Sequence, residues 1–420
     1  MMKIKSKKSI AFLMSAIFIM SLFIVGGSAL AQEDENVIKI GAVYPLSGST
    51  AQNGETQRKA HEFAQKKINQ AGGIEALDGA KIEMVYADSQ SKPEVGIAEA
   101  ERLITQENVV ALMGTFESHV GLAVQDVAEK YGVPFIVCNA LSDIFVEKDM
   151  DYTFKTVINL SQIGEDSVNF ARKTAEANGD SDEVKTAAML YGDFHFGHEV
   201  ARFWKEYLPK KGFEIVADVA YPVPAKDMYD SILKLKSAKP DVLFSLGNIS
   251  DSTLIMQTMK ELNYYPEYAM IGVGGGFTES TFFDNVGDLA EGLYMVNDWL
   301  PKINMEGAQE LNSEFKEEYG REMTGNANST YAAMWVLKDA LERAGSTDGD
   351  ELRIALENTD ITSGPVTFMY NRVKFDEHGM NISAQNVVGQ VQDGEKVVVW
   401  PEDKAIAEPV WPVPDWQERK

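Results

Sequence analysis

Beyond residue 36 the apolar positions switch repeatedly between a period of two and a period of 3.6. Val37–Tyr44 reads as a strand halted by Pro45, and residues 54–70 place Ala60, Phe63, Ala64 and Ile68 on one helical face. Lys81–Ala87 alternates as a strand, and Pro93–Gln106 predicts a helix with proline near its start. Val109–Met113 and Val133–Val137 are short apolar strands. Between them Ser118–Lys130 carries Val120, Val124 and Val127 on one stripe.

A second series follows the same rhythm. Helices at 164–177, 198–211, 226–238 and 251–263 alternate with strands Thr186–Leu190, Glu214–Tyr221, Asp241–Leu246 and Ala269–Val273. Helices then return at 306–319, 328–344 and 350–357. Strands are predicted at Val366–Tyr370, Val373–Phe375, Ala384–Val391 and Lys396–Trp400, the last two around Asp393-Gly394. The proline-rich tail 401–420 reads as an extended strap. Strands alternating with amphipathic helices predict parallel sheets covered on both faces. The expected fold class is therefore α/β, with two doubly wound parallel-sheet lobes.

The start of the chain changes the picture. Lys3, Lys5, Lys7 and Lys8 precede an apolar run, Ile10–Val25, and Ala29-Leu30-Ala31 supplies small residues for cleavage. Residues 1–31 are thus an expected signal peptide. No cysteine lies near that site for lipid attachment, so a free periplasmic protein is expected. The one cysteine, Cys138, rules out an intrachain disulfide. Removing four lysines takes the formal charge from −25 to −29, which disfavours nucleic acid and anionic membranes as partners. With 45% hydrophobic residues the chain still has material for two cores.

In open parallel sheets, ligands bind beyond the carboxyl ends of the strands. Those ends carry Pro45–Gly54 with Asn53, Gly114–Ser118 with Phe116, and Cys138–Ser142 with Asn139 and Ala140. In the second half they carry Asp193–Gly197, Gly247–Asp251 and Gly272–Phe277. Ser118 and Ser142 either cap their own helices or offer a hydroxyl to an anion. Phe194 and Phe196 either wall a cleft or tuck beneath their loop. His119 either lines the cleft or sits on the surface. His195 and His198 beside Glu199 show no further metal ligands, and no phosphate loop or nucleophile motif is present. No cofactor, metal or enzymatic activity is expected.

The runs Ile38-Lys39-Ile40-Gly41, Pro45-Leu46-Ser47-Gly48, Ile68–Ile74, Thr330-Tyr331-Ala332-Ala333, Gly364-Pro365-Val366 and Phe375–Gly379 occur in consistent order. In these the chain resembles the periplasmic leucine/isoleucine/valine-binding family. The resemblance implies two lobes joined by three strands near Thr153–Val157, Tyr294–Asp298 and Gly364–Phe368. It implies lobes of 32–155 plus 299–365 and of 156–298 plus 366–420.

The resemblance also implies a solute-binding component of an ABC importer, a monomer that closes on a small molecule and is recognised by permease subunits. Its ligand-binding positions fall on Ser118, on Asn139, Ala140 and Ser142, and on Phe196, Asn248, Gly274 and Tyr331. The acid that pairs with an amino-acid ammonium falls near Gly274, where no acid stands. A buried ammonium needs such a partner. Glu279, Asp251 and Asp193 are the substitutes to weigh, and aromatic acids or amide-type solutes are the alternative ligands. A ligand-sensing receptor for a signalling partner is the alternative role.

Overall fold

The computed structural model describes residues 36–420 except 49, 149, 417, 418 and 420. The expected export segment 1–31 lies outside the described residues. The first series runs β1 (Val37–Tyr44), α1 (Ala51–Gln70), β2 (Lys81–Asp88), α2 (Pro93–Thr105), β3 (Ala111–Gly114), α3 (Ser118–Tyr131), β4 (Phe135–Val137), α4 (Ile144–Glu147) and β5 (Thr153–Lys155). Its five strands are all parallel, in the order β2-β1-β3-β4-β5. Order reverses between β1 and β3, so the crevice lies beyond Tyr44 and Gly114.

The second series runs α5 (Leu160–Asn178), β6 (Thr186–Gly192), α6 (His195–Lys210), β7 (Glu214–Tyr221), α7 (Tyr229–Ala238) and β8 (Val242–Leu246). It continues through α8 (Ile249–Glu261), β9 (Ala269–Val273), α9 (Gly275–Thr278), α10 (Ser280–Val286) and β10 (Tyr294–Asn297). Three helices follow, α11 (Ala308–Tyr319), α12 (Gly325–Ala344) and α13 (Gly349–Glu357). The chain ends with a small ladder, β11 (Asp360–Ile361) and β12 (Val373–Lys374), and a hairpin, β13 (Val387–Gln392) and β14 (Glu395–Trp400). The second sheet has the order β14-β13-β10-β9-β8-β6-β7. β13 runs antiparallel to both β10 and β14. Its reversal falls between β6 and β8, the counterpart of the first.

Packing follows the alternation along each strand. On one face of the first sheet, Ile40, Ala42 and Tyr44 meet Ala60, Ala64 and helix α12 in one core. On the other, Val43 and Leu112 meet Leu103, Val120 and Val124 in a separate core. Each such side chain is fully or nearly fully buried, worth roughly 1.5–3 kcal/mol. Phe63 contacts Phe315 and Tyr331, with ring centroids 5.5 and 5.8 Å apart, so α11 and α12 cover the first sheet.

Two sequence expectations change. Val366–Tyr370 is not a strand: Pro365–Phe368 is a 3-10 turn, entered through Gly364 at φ +81° and closed by Thr367 Oγ1 donating to the Gly364 carbonyl at 2.7 Å. The next residues stay beside the first sheet, where Lys155 N–H donates to Gly379 O at 2.7 Å and Phe154 packs on Phe375. The last strap reaches the second sheet only at β13. The glycine run 274–276, read from the sequence only as the end of a strand, opens two short helices. The tail docks on the second sheet's helices and loops: Trp416 Nε1 donates to Tyr264 O at 2.7 Å, and Val413 N–H to Tyr268 O at 2.8 Å.

At the joint between the two sheets, Lys155 is fully buried. Its ammonium donates to Leu141 O, Ile158 O and Asn159 Oδ1. Three acceptors match its three protons. Burial pushes its pKa down to about 7, and Asp143 pulls it back up. Leu160 N–H donates to Leu141 O at 2.9 Å, and Ser161 N–H and Oγ both donate to Asp143. The loop after β4 is thereby fixed to the start of α5.

Candidate functional site

In the first lobe the site is a set of loops tied at their bases. Asp88, ending β2, accepts from Leu46 N–H at 2.9 Å, Ser47 Oγ at 2.6 Å and Gln90 N–H at 2.9 Å. Burial raises its carboxyl, but these hydrogen bonds outweigh that and hold it below the usual range. Gly54 lets α1 start close against this loop, since a Cβ there would lie 2.0 Å from Pro45 O. Glu117 accepts from Thr50 Oγ1 at 2.6 Å and Ser91 Oγ at 2.7 Å, joining the loops after β1, β2 and β3.

Ser118 is the first residue of α3, and its Oγ accepts from Ser142 N–H at 3.2 Å. Ser142 Oγ in turn accepts from Ile144 N–H at 3.3 Å. Two of the expected residues, from different loops, therefore meet. Ala140 is buried beside them, Phe116 is half-buried against the core, and Asn53 is half-buried near the start of α1. The Asn139 side chain is fully used within its own lobe. Its Oδ1 accepts from Tyr44 and Thr330 hydroxyls, and its Nδ2 donates to Asn326 O and Ser329 Oγ, both at 2.9 Å. It positions the start of α12. His119 is exposed and lies 3.2 Å from Ser91 O.

In the second lobe, Phe194 and Phe196 divide the two roles the sequence left open. Phe194 folds back on the end of β6, where a Cβ on Gly192 would lie 2.5 Å from its ring. Phe196 lies across the ends of β8 and β9: from the Cβ position of Gly274 its ring is 3.4 Å away and Leu246 is 4.0 Å away. The two rings stack at 6.4 Å. Gly274 has φ +78° and ψ 174°, a conformation essentially reserved for glycine, which explains why no acid stands there.

Asn248 caps α8, its Oδ1 accepting from Asp251 N–H at 2.9 Å and its Nδ2 donating to Asp251 Oδ2 at 2.9 Å. Asp251 also accepts from Ala225 N–H at 3.0 Å, so it is committed to its own loops. Asp193 lies 2.6 Å from His198 Nε2. Among the described residues no group of three or more His, Cys, Asp or Glu is arranged for a metal.

Glu279 is the remaining substitute, and it stands between the lobes. It precedes α10, its Cγ is 3.7 Å from the Cβ position of Gly275, and its carboxyl lies near the Asn326 side chain. Burial raises its pKa, while Asn326, Lys396 and Arg321 pull it down. Nearby Asp298 is raised to about 6, by burial above all and further by the Glu279 charge. Gly325 fits tightly here, since a Cβ would meet the Asp298 carboxylate at 2.0 Å.

Asn326 was missed by the sequence reading, which began this helix at residue 328. Thr324, whose Oγ1 accepts from Ala327 N–H at 3.2 Å, is the capping signal that marks the earlier start. Tyr331 is not brought to the site. Its ring packs on Phe63 and on Trp335, at 5.8 and 6.2 Å, beside a surface hollow lined by Lys67 and Leu311.

Two doubly wound lobes, with chemistry at both switch points and a joint between them, define a two-lobed binding protein of the α/β class. The model for the periplasmic binding protein family matches residues 37–396. A Leu/Ile/Val-binding protein homolog 7 of Brucella suis is 31% identical over 392 residues, covering 92% of this chain and 96% of its own. The chain belongs to the periplasmic binding protein family, and the curated relatives it matches are Leu/Ile/Val-binding protein homologs.

Solved structures share the fold. A solute-binding protein from Rhodopseudomonas palustris in complex with 3,4-dihydroxybenzoic acid has a TM-score of 0.71 and 23% identity, covering 91% of this chain and 100% of its own. The branched-chain amino acid transporter substrate-binding protein LivJ from Streptococcus pneumoniae, in complex with isoleucine, has a TM-score of 0.73 and 22% identity, covering 90% and 100%. The family is extracytoplasmic, and among the described residues no helix is long and apolar enough to cross a membrane.

Proposed function

We propose that this protein captures a small amino acid between its lobes and delivers it, as a periplasmic monomer, to the permease subunits of its importer. The observation that carries this reading is Glu279 of one lobe standing against Asn326 of the other. A half-buried carboxylate at that joint is the partner an ammonium needs, and it replaces the acid that Gly274 cannot supply. Ser118, with the N–H groups opening α3, receives the carboxylate at the other end. In the lobe division that goes with this reading, 32–155 and 299 to about 381 form one lobe, and 156–298 with the residues after about 381 form the other. Hinged closure then encloses the solute and creates the surface a permease reads.

A calorimetric screen of amino acids against benzoates and simple carboxylic acids tests the proposal. Micromolar binding of an amino acid is expected. Binding of aromatic acids alone, over which the Phe196 ring would lie, overturns the ammonium-pairing role of Glu279. Binding of neither class overturns the reading as a whole.

A further inference from the structure

The first turn of α12 is held from two sides. On one side Asn139, in the loop after β4, donates from Nδ2 to Asn326 O and to Ser329 Oγ, both at 2.9 Å. Its Oδ1 accepts from Thr330 Oγ1 at 3.1 Å and from the hydroxyl of Tyr44, the last residue of β1, at 3.3 Å. On the other side Gly325 lies against Asn297, the last residue of β10, and against Asp298. A Cβ on Gly325 would stand 2.0 Å from Asp298 Oδ1 and 2.6 Å from Asn297 Oδ1. The turn thus bridges the carboxyl ends of strands from both sheets. From Gly325 to Met334 every residue except Asn326 is buried. Half-buried Asn326 is the one whose side chain stands beside Glu279.

Asn139 is not needed to satisfy the groups it touches. Asn326 O also accepts from Ser329 Oγ at 3.0 Å and from Thr330 Oγ1 at 2.9 Å, and the Tyr44 oxygen lies 3.2 Å from His61 Nε2. Each of these groups keeps a second partner when Asn139 is removed. What Asn139 adds is placement: one buried amide fixes the turn against the ends of β1 and β4.

We propose that Asn139 is a positioning residue for ammonium capture: without touching the solute it places Asn326, and Asn326 in turn places the Glu279 carboxylate. A displaced Asn326 leaves that carboxylate without the amide beside it, so the ammonium meets a partner that is misplaced and less readily ionised. This inference rests on the reading that Glu279 pairs with an amino-acid ammonium, and it names the residue that fixes the geometry of that pair.

The test is a double-mutant cycle read by calorimetry, with L-leucine, L-glutamine and L-glutamate as probes. For the amino acid that wild type binds most tightly, Asn139→Leu is expected to lower affinity by about tenfold, within the usual coupling of groups in contact. The melting temperature should stay close to wild type. In the Glu279→Gln background the same substitution is expected to change affinity by no more than about twofold. Asn139→Ser, too short to reach Asn326 O, gives the same readout should the leucine variant fail to fold. Equal losses in both backgrounds mean that Asn139 acts by packing or by touching the solute itself; that overturns the inference and leaves the ammonium reading standing. Wild-type affinity in the Asn139 variant overturns it as well. If Glu279→Gln alone leaves affinity unchanged, or if no amino acid binds, the underlying reading falls and the inference with it.

Discussion

Asn326 and Glu279 stand close across the joint between the lobes. The Asn326 carbonyl accepts from Asn139 in the first lobe, and its side chain lies near the Glu279 carboxyl of the second, whose burial-raised pKa it lowers. Glu279→Gln keeps the shape and removes the charge. It is expected to weaken amino-acid binding by about 2–4 kcal/mol, as when one partner of a buried charge pair is lost. Acids without an ammonium should bind the variant no worse. Calorimetry on both ligand types reads the difference, and unchanged amino-acid affinity removes Glu279 from the site.

Ser118→Ala is expected to cost about 1–3 kcal/mol in the affinity for any carboxylate-bearing ligand, the range for a lost hydrogen bond to a charge. The fold should tolerate it, because Ser118 is only partly buried and supports one loop bond, to Ser142 at 3.2 Å. A melting temperature close to wild type with reduced affinity is the expected pair of results. Reduced stability with intact affinity would make Ser118 a loop support only.

The alternation of strands and helices was legible because the central strands are buried on both faces and the amphipathic helices on one. Val43 and Tyr44 show this, as they enter different cores. The absence of an acid at Gly274 was also legible, but which of Glu279, Asp251 and Asp193 reaches the joint was not. Glu279 reaches the joint only because two short helices fold back from a glycine at positive φ, a turn that periodicity does not register. Tyr331 was misplaced because a motif match says nothing of helical phase, which turns that ring toward Phe63. Gln57 and His61 are buried on the same helix as Ala60 and Ala64, and apolar periodicity does not register them.

Lys155→Met is expected to destabilise the protein by about 2–4 kcal/mol, because it removes a shared donor from Leu141 O and Asn159 Oδ1, which keep a backbone N–H each, and the ammonium from Ile158 O. Those oxygens lie on both sides of the joint, so solute affinity should fall as well. Urea unfolding gives the first quantity and calorimetry the second. A variant as stable as wild type would show that apolar packing replaces the ammonium without loss.

His61 sets a pH dependence that can be isolated. Its folded pKa is pushed down to about 3 by burial, while an unfolded histidine titrates near 6.5. Between those values the unfolded chain holds one more proton than the native one, so stability falls as pH falls. The deficit grows from near zero at pH 7 to about 2 kcal/mol at pH 5. Asp298, raised to about 6 by burial, acts in the opposite sense between about pH 4 and 6, since the native state there holds the extra proton. The whole-protein profile therefore mixes both, and a variant is needed to separate them. His61→Gln retains a polar side chain near Tyr44 and removes the titration. Urea unfolding of both proteins at pH 7 and pH 5 should show wild type losing about 2 kcal/mol more than the variant. Equal losses would mean that His61 takes up its proton in the folded state, which requires water or a ligand group at Nδ1.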